Sequence, residues 1–123
     1  MTHCPICMSH SEKKEILWET NHWILRKAPS TKELEGYSYL ESKRHVESWT
    51  QLSEEECSDY GRILHKALSL SLQLSPSPEK IYFAAIAEQV PHLHMHLVPR
   101  YSGQEKGIKH LEVALGPGFS KPL

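Results

Sequence analysis

The chain holds no apolar run of about 18 residues, so no transmembrane helix is expected. Its opening, Met1-Thr2-His3-Cys4-Pro5, has neither the cationic nor the apolar part of a signal peptide. The expected address is the cytoplasm, with no membrane partner. Net charge is almost absent: 14 Lys and Arg against 15 Asp and Glu give −1 with histidine neutral. That balance offers no basic stripe for a nucleic acid, although local basic contacts to a small anion stay open. Cysteine is scarce and odd in number, at 3. An odd count without a leader does not form a disulfide framework; it points to metal binding plus a spare thiol. Repeats and low-complexity tracts are absent as well. The 123 residues leave room for one domain, and 39% hydrophobic content is enough to give it a core.

What the chain does have is histidine, 9 in all. The segments around them read as a sheet and a helix. Residues 15–19 and His22-Trp23-Ile24-Leu25-Arg26 are strand candidates about a Thr20-Asn21 turn. A loop over 28–35 ends at Gly36, and Tyr37-Ser38-Tyr39-Leu40-Glu41 is a third strand. Ser53-Glu54-Glu55-Glu56 is a capping box with an acidic first turn. Tyr60, Ile63, Leu64, Ala67, Leu68 and Ser71 follow at helical spacing, and the helix should stop before Ser75-Pro76. Apolar runs over 81–87 and 93–100 read as adjacent antiparallel strands. The expected class is α+β, a small antiparallel sheet of about five strands packed with one long helix. Residues 1–101 form the domain and 102–123 a solvated tail.

The densest signal is Pro91-His92-Leu93-His94-Met95-His96-Leu97-Val98-Pro99-Arg100. Strand side chains alternate between faces. His92, His94 and His96 then share one face, and Leu93, Met95 and Leu97 pack on the other. On a helix His94 would point about 200° away from its neighbours, so the strand is favoured. Three imidazoles in a row serve metal binding, or nucleophilic and acid–base work near neutral pH.

Residues 92–98 resemble the histidine triad motif, His-φ-His-φ-His-φ-φ with φ apolar, and fill every position of it. The capped helix and the strand running into Lys43-Arg44-His45-Val46 are also similar to that family, so the resemblance covers about residues 4–101. It implies a nucleotide hydrolase or nucleotidyl transferase acting at an α-phosphate. His94 would be the nucleophile, and His96 would bond the phosphate oxygens. Gln89 and Arg100 are the candidate substrate contacts; each also has a plain structural reading, as a turn residue and as a solvated strand end. The resemblance further implies a homodimer.

Cys4-x-x-Cys7 by itself is a redox motif, half a zinc site or chance. A redox motif belongs in a βαβ setting, and a hairpin follows here instead. Zinc-containing histidine triad proteins resemble this arrangement, and they imply the ligands Cys4, Cys7, His45 and His92. That closed set would be structural, with no position open to water. His10 and His3 are competing ligands, and Cys57, inside the helix, reads as a buried thiol.

The pattern departs from the family where the ribose is often held. No Asp or Asn stands at the end of the second strand; Lys27 falls near that place, and Tyr37 follows Gly36 where histidine is common. Trp23 reads as core before base platform. Two other functions fit the same residues: a zinc-dependent hydrolase with an open metal site, and a nucleotide-binding module with little catalysis.

Overall fold

A computed structural model gives the fold, and the structure describes residues 3–116. The elements run α1 (Pro5–Ser11), β1 (Ile16–Glu19), β2 (Trp23–Lys27), β3 (Ser38–Ser42), α2 (Glu54–Leu72), β4 (Lys80–Ala84), β5 (His94–Arg100) and α3 (Ile108–Leu115). Five strands form one antiparallel sheet in the order β1-β2-β3-β5-β4. The fold is α+β, as the sequence predicts. No helix among the described residues is long and apolar enough to cross a membrane.

One face of the sheet packs on α2. Met95 and Leu97 of β5 join Leu40, Leu25 and Trp23 against Ile63 and Ala67, all buried. Each such side chain contributes roughly 1.5–3 kcal/mol of burial. Trp23 is core, and its Nε1–H donates to the Glu56 carbonyl at 2.8 Å, so a buried indole leaves no polar atom unpaired. Asp59 accepts from Thr20 Oγ1 at 2.7 Å and the His22 N–H at 2.8 Å, which fastens the β1–β2 turn to α2.

The helix begins where its capping box lies. The Glu56 N–H donates to Ser53 Oγ at 3.1 Å, and the Ser53 N–H donates to Glu56 Oε1 at 2.8 Å. Arg44 adds two bonds to the same carboxylate, at 2.8 and 3.1 Å. The Arg44 contact, chiefly, holds the Glu56 carboxyl down to about 2. In the unfolded chain it returns to near the ordinary 4.5. Glu56 therefore stabilises the fold fully above about pH 4.5, and that contribution is lost as pH falls through about 2. Urea unfolding at steps through this window should show stability dropping with acid. Glu56→Gln should flatten the slope there, and an unchanged slope would assign the acid sensitivity elsewhere.

Three sequence expectations change. Cys57 is exposed, not buried. The buried stripe of α2 runs through Glu56, Asp59, Ile63, Ala67 and Ser71, and residue 57 lies about 100° around the helix from its start. The strand expected over 81–87 stops at Ala84, and Ala87 lies beyond it with a left-handed φ of 56°, outside the extended region. The segment expected as a solvated tail carries α3, whose Ala114 and Leu111 pack with Val98, Tyr37 and Ala28 on the second sheet face. Residues 117–123, Lys121 among them, lie outside the described residues.

Candidate active site

The second face of the sheet carries the polar residues. Because β5 alternates, His94 and His96 point away from the α2 core that Met95 and Leu97 enter. Their rings lie 5.1 Å apart, edge on at 65°. His94 Nδ1 is 2.6 Å from the His92 carbonyl. A carbonyl only accepts, so Nδ1 carries a proton, and in the neutral ring the lone pair is on Nε2. His96 Nδ1 lies 2.7 Å from the Tyr37 hydroxyl. Desolvation, then the neighbouring His94 and Lys32, push His96 down to about 4, so it is neutral at pH 7. Adjacent imidazoles oppose one another's protonation.

His92 precedes β5 and does not belong to the strand. Its Nε2–H donates to the Ser42 carbonyl at 2.6 Å, which leaves Nδ1 as the free donor atom. That atom sits 3.4 Å from Cys4 Sγ, 3.5 Å from Cys7 Sγ and 3.2 Å from His45 Nδ1. His45 Nδ1 is 3.4 Å from Cys7 Sγ. All four donor atoms lie within 4.8 Å of one another.

Zinc–nitrogen bonds of about 2.05 Å and zinc–sulfur bonds of about 2.3 Å set tetrahedral edges of roughly 3.3 Å (N to N) and 3.5 Å (N to S). The four edges given above match these values, so the cluster is compatible with a zinc ion. Burial, first of all, pushes His92 below the ordinary histidine value, which keeps it in the neutral, ligating form. Burial also pushes the Cys7 thiol up, with the adjacent Cys4 adding to it. A cation is what would keep the two sulfurs as thiolates.

Local chemistry explains how the N-terminus reaches the cluster. Cys4 is the N-cap of α1, its Sγ accepting from the Cys7 N–H at 3.3 Å, and Pro5 takes the first turn where no amide donor is needed. The competing ligands stand outside. His3 is exposed, and His10 Nε2 bonds Glu41 Oε1 at 2.8 Å.

Glu41 was not anticipated as a site residue. It stands directly across from His94 in the β3–β5 register and is 1% exposed. Arg26 grips both of its oxygens, at 2.7 and 2.9 Å. Burial opposes its ionisation, but the His10 and Arg26 bonds outweigh that and hold the carboxyl below the ordinary range. An acidic residue within an apolar strand was the available signal; its partners come from α1 and β2, which no local pattern relates to it.

Among the described residues, the remaining candidates form no hydrogen bond with the triad histidines. Gln89 is exposed in the loop between β4 and β5. Arg100 is 7% exposed, and its Nη1 donates to Glu79 at 3.1 Å. Lys27, at the end of β2, is exposed. A cleft of about 550 Å³ lies between residues 47–51 and 85–91, lined by Trp49, Ile86, Glu88 and Leu93, and no triad histidine lines it.

No protein-family model matches the sequence, and no curated protein matches it. Solved structures do. A zinc-bound histidine triad family protein from Mycobacterium smegmatis superposes with a TM-score of 0.68 at 17% identity, over 87% of this chain and 81% of that one. A member of the HIT family from Bacillus subtilis gives 0.69 at 18% identity, over 82% and 75%. A HIT family hydrolase from Legionella pneumophila gives 0.64 at 14% identity, over 86% and 97%. The chain has the histidine triad fold.

Proposed function

We infer that this chain is a histidine triad protein that hydrolyses or transfers a nucleotidyl group through a covalent intermediate on His94. The observation that carries the reading is the His94 Nδ1–H bond to the His92 carbonyl at 2.6 Å. With Nδ1 as the donor, the lone pair of the neutral ring lies on Nε2, and the His96 ring stands beside it.

The chemistry takes two steps. In the first, the Nε2 lone pair attacks the α-phosphorus. A nitrogen–phosphorus bond forms, the bond from phosphorus to the leaving group breaks, and the leaving group departs with the bonding pair and takes up a proton. In the second, water adds to phosphorus, the His94–phosphorus bond breaks, and the nucleoside monophosphate leaves as water's proton is released. Splitting the reaction lowers each barrier. His96 bonds the phosphoryl oxygens, where negative charge grows. In this reading Gln89 meets the substrate from its loop, while Arg100 stays with Glu79.

Cys4, Cys7, His45 and His92 would hold zinc, which would supply a fixed tetrahedral crosslink and no catalytic water. Four protein donors fill such a site. The ion would tie α1 and the end of β3 to the residues just before His94.

The test is intact-protein mass spectrometry after mixing with an adenosine phosphoramidate and quenching fast. One added adenylate in the wild type, absent in His94→Ala, is the expected result. Turnover without an adduct, even with a slower thio-substituted substrate, would overturn the covalent route. Tight nucleotide binding with neither turnover nor adduct would replace it with a binding role.

A further inference from the structure

We propose that Tyr37 is a positioning residue: its hydroxyl holds His96 in the tautomer that carries the proton on Nε2. The inference rests on the reading of His94 as nucleophile and concerns the group beside it.

The argument is an inventory of protons. Tyr37 is 2% exposed, and its Oη lies 2.7 Å from His96 Nδ1 and 3.5 Å from the Ala114 carbonyl. A phenol has one proton to donate. A 3.5 Å contact is at the edge of hydrogen bonding, whereas 2.7 Å is a good O–H···N distance. The Ala114 carbonyl already accepts from Lys32 Nζ at 2.9 Å. The neighbouring Tyr39 phenol also interacts with the Tyr37 hydroxyl, but it has a proton of its own to give; Nδ1, at 2.7 Å, is the better acceptor, and a neutral imidazole accepting there carries its hydrogen on Nε2. Burial pushes the Tyr37 phenol well above its ordinary value, so it stays protonated as a donor. Among the described residues nothing engages His96 Nε2, so its N–H is free for a ligand.

The surroundings fix the ring as well as the proton. Tyr39 stands edge on to His96 at 5.5 Å and 85°, and His94 closes another side. Tyr37 itself is held by its backbone: its N–H donates to the Leu34 carbonyl at 3.2 Å, and its carbonyl accepts from Ala28 at 3.0 Å. Gly36 shapes the turn into Tyr37. It has a φ of +85°, and a Cβ there would lie 2.5 Å from Leu74 Cδ1.

The consequence is directional. With the proton on Nε2, His96 offers a donor to a phosphoryl oxygen; with the proton on Nδ1, it would offer a lone pair that repels the same oxygen. Tyr37→Phe removes the hydroxyl that donates to Nδ1, so the contact that keeps the ring proton on Nε2 is lost.

The experiment is long-range nitrogen–proton NMR of the histidine rings in wild type and Tyr37→Phe, with turnover of an adenosine phosphoramidate. The wild type should show His96 protonated on Nε2. In Tyr37→Phe the proton should move toward Nδ1, and kcat should fall about 10- to 100-fold with little change in KM. A purely structural role would not move the ring proton. A wild-type proton on Nδ1, or an unchanged kcat in Tyr37→Phe, overturns the proposal; the wild-type spectrum decides even if the variant fails to fold. Absence of the His94 adduct in the wild type would instead remove the functional reading, while the tautomer is measured without substrate, so the two failures are separable.

Discussion

His94→Ala is expected to lower kcat/KM for an adenosine phosphoramidate by about 10⁴-fold or more and to abolish the adenylated species. The physical reason is that, among the described residues, neither of the other two triad histidines can replace it. His92 Nδ1 is turned into the Cys4–Cys7–His45 cluster, and His96 Nδ1 is taken by Tyr37. The fold should survive, because His94 is only partly buried and its partner face, Met95 and Leu97, is unchanged. His96→Ala should cost less, about 10²- to 10³-fold, as removal of one donor from developing charge. Steady-state rates with a melting curve for each variant are the check. Residual activity in His94→Ala within tenfold of wild type would show that another group attacks phosphorus.

Removing the metal should act on stability before chemistry. The protein is expected to bind one zinc per chain, and metal analysis of the purified protein tests this directly. A strong chelator, or Cys4→Ser, should lower Tm by roughly 10–20 °C, which corresponds to a few kcal/mol in a domain of this size. Zinc-finger peptides depend on their ion for about 10–16 kcal/mol and unfold without it. This chain has two apolar clusters of its own, so a folded but weakened apoprotein is expected. Activity should then fall with loss of the fold, on warming, and not at the moment of chelation. Immediate loss at low temperature, with the melting curve intact, would instead favour zinc as the catalytic centre. A Tm indifferent to chelator would remove the structural zinc altogether.

Much of this arrangement is written locally. The alternation His92-Leu93-His94-Met95-His96-Leu97 sorts imidazoles from core side chains, and β5 keeps that sorting for His94 and His96. Ser53 and Glu56 mark the start of α2 through bonds that span three residues. Pro76 and the sequence before it stop the helix near Leu72. These are properties of neighbours along the chain, and periodicity reports them.

The contacts that give the site its chemistry join residues far apart in sequence. Cys4 meets His92 across 88 positions, and His45 meets it across 47. That these four donors gather within 4.8 Å of one another, and that His10 and His3 do not join them, depends on α1 docking beside the end of β3. The Tyr37 hydroxyl reaches His96 because β3 pairs with β5 in a register that sets Ser38 opposite Leu97 and Tyr39 opposite His96. Glu41, Arg26 and His10 gather on strands and a helix whose order no local pattern states. Cys57 and α3 make the same point on the helices: a spacing tells which residues share a face, but which face is covered depends on what packs there. Hydrophobic periodicity records which near neighbours share a face; the strand order and register that align polar atoms are set by the folded chain as a whole.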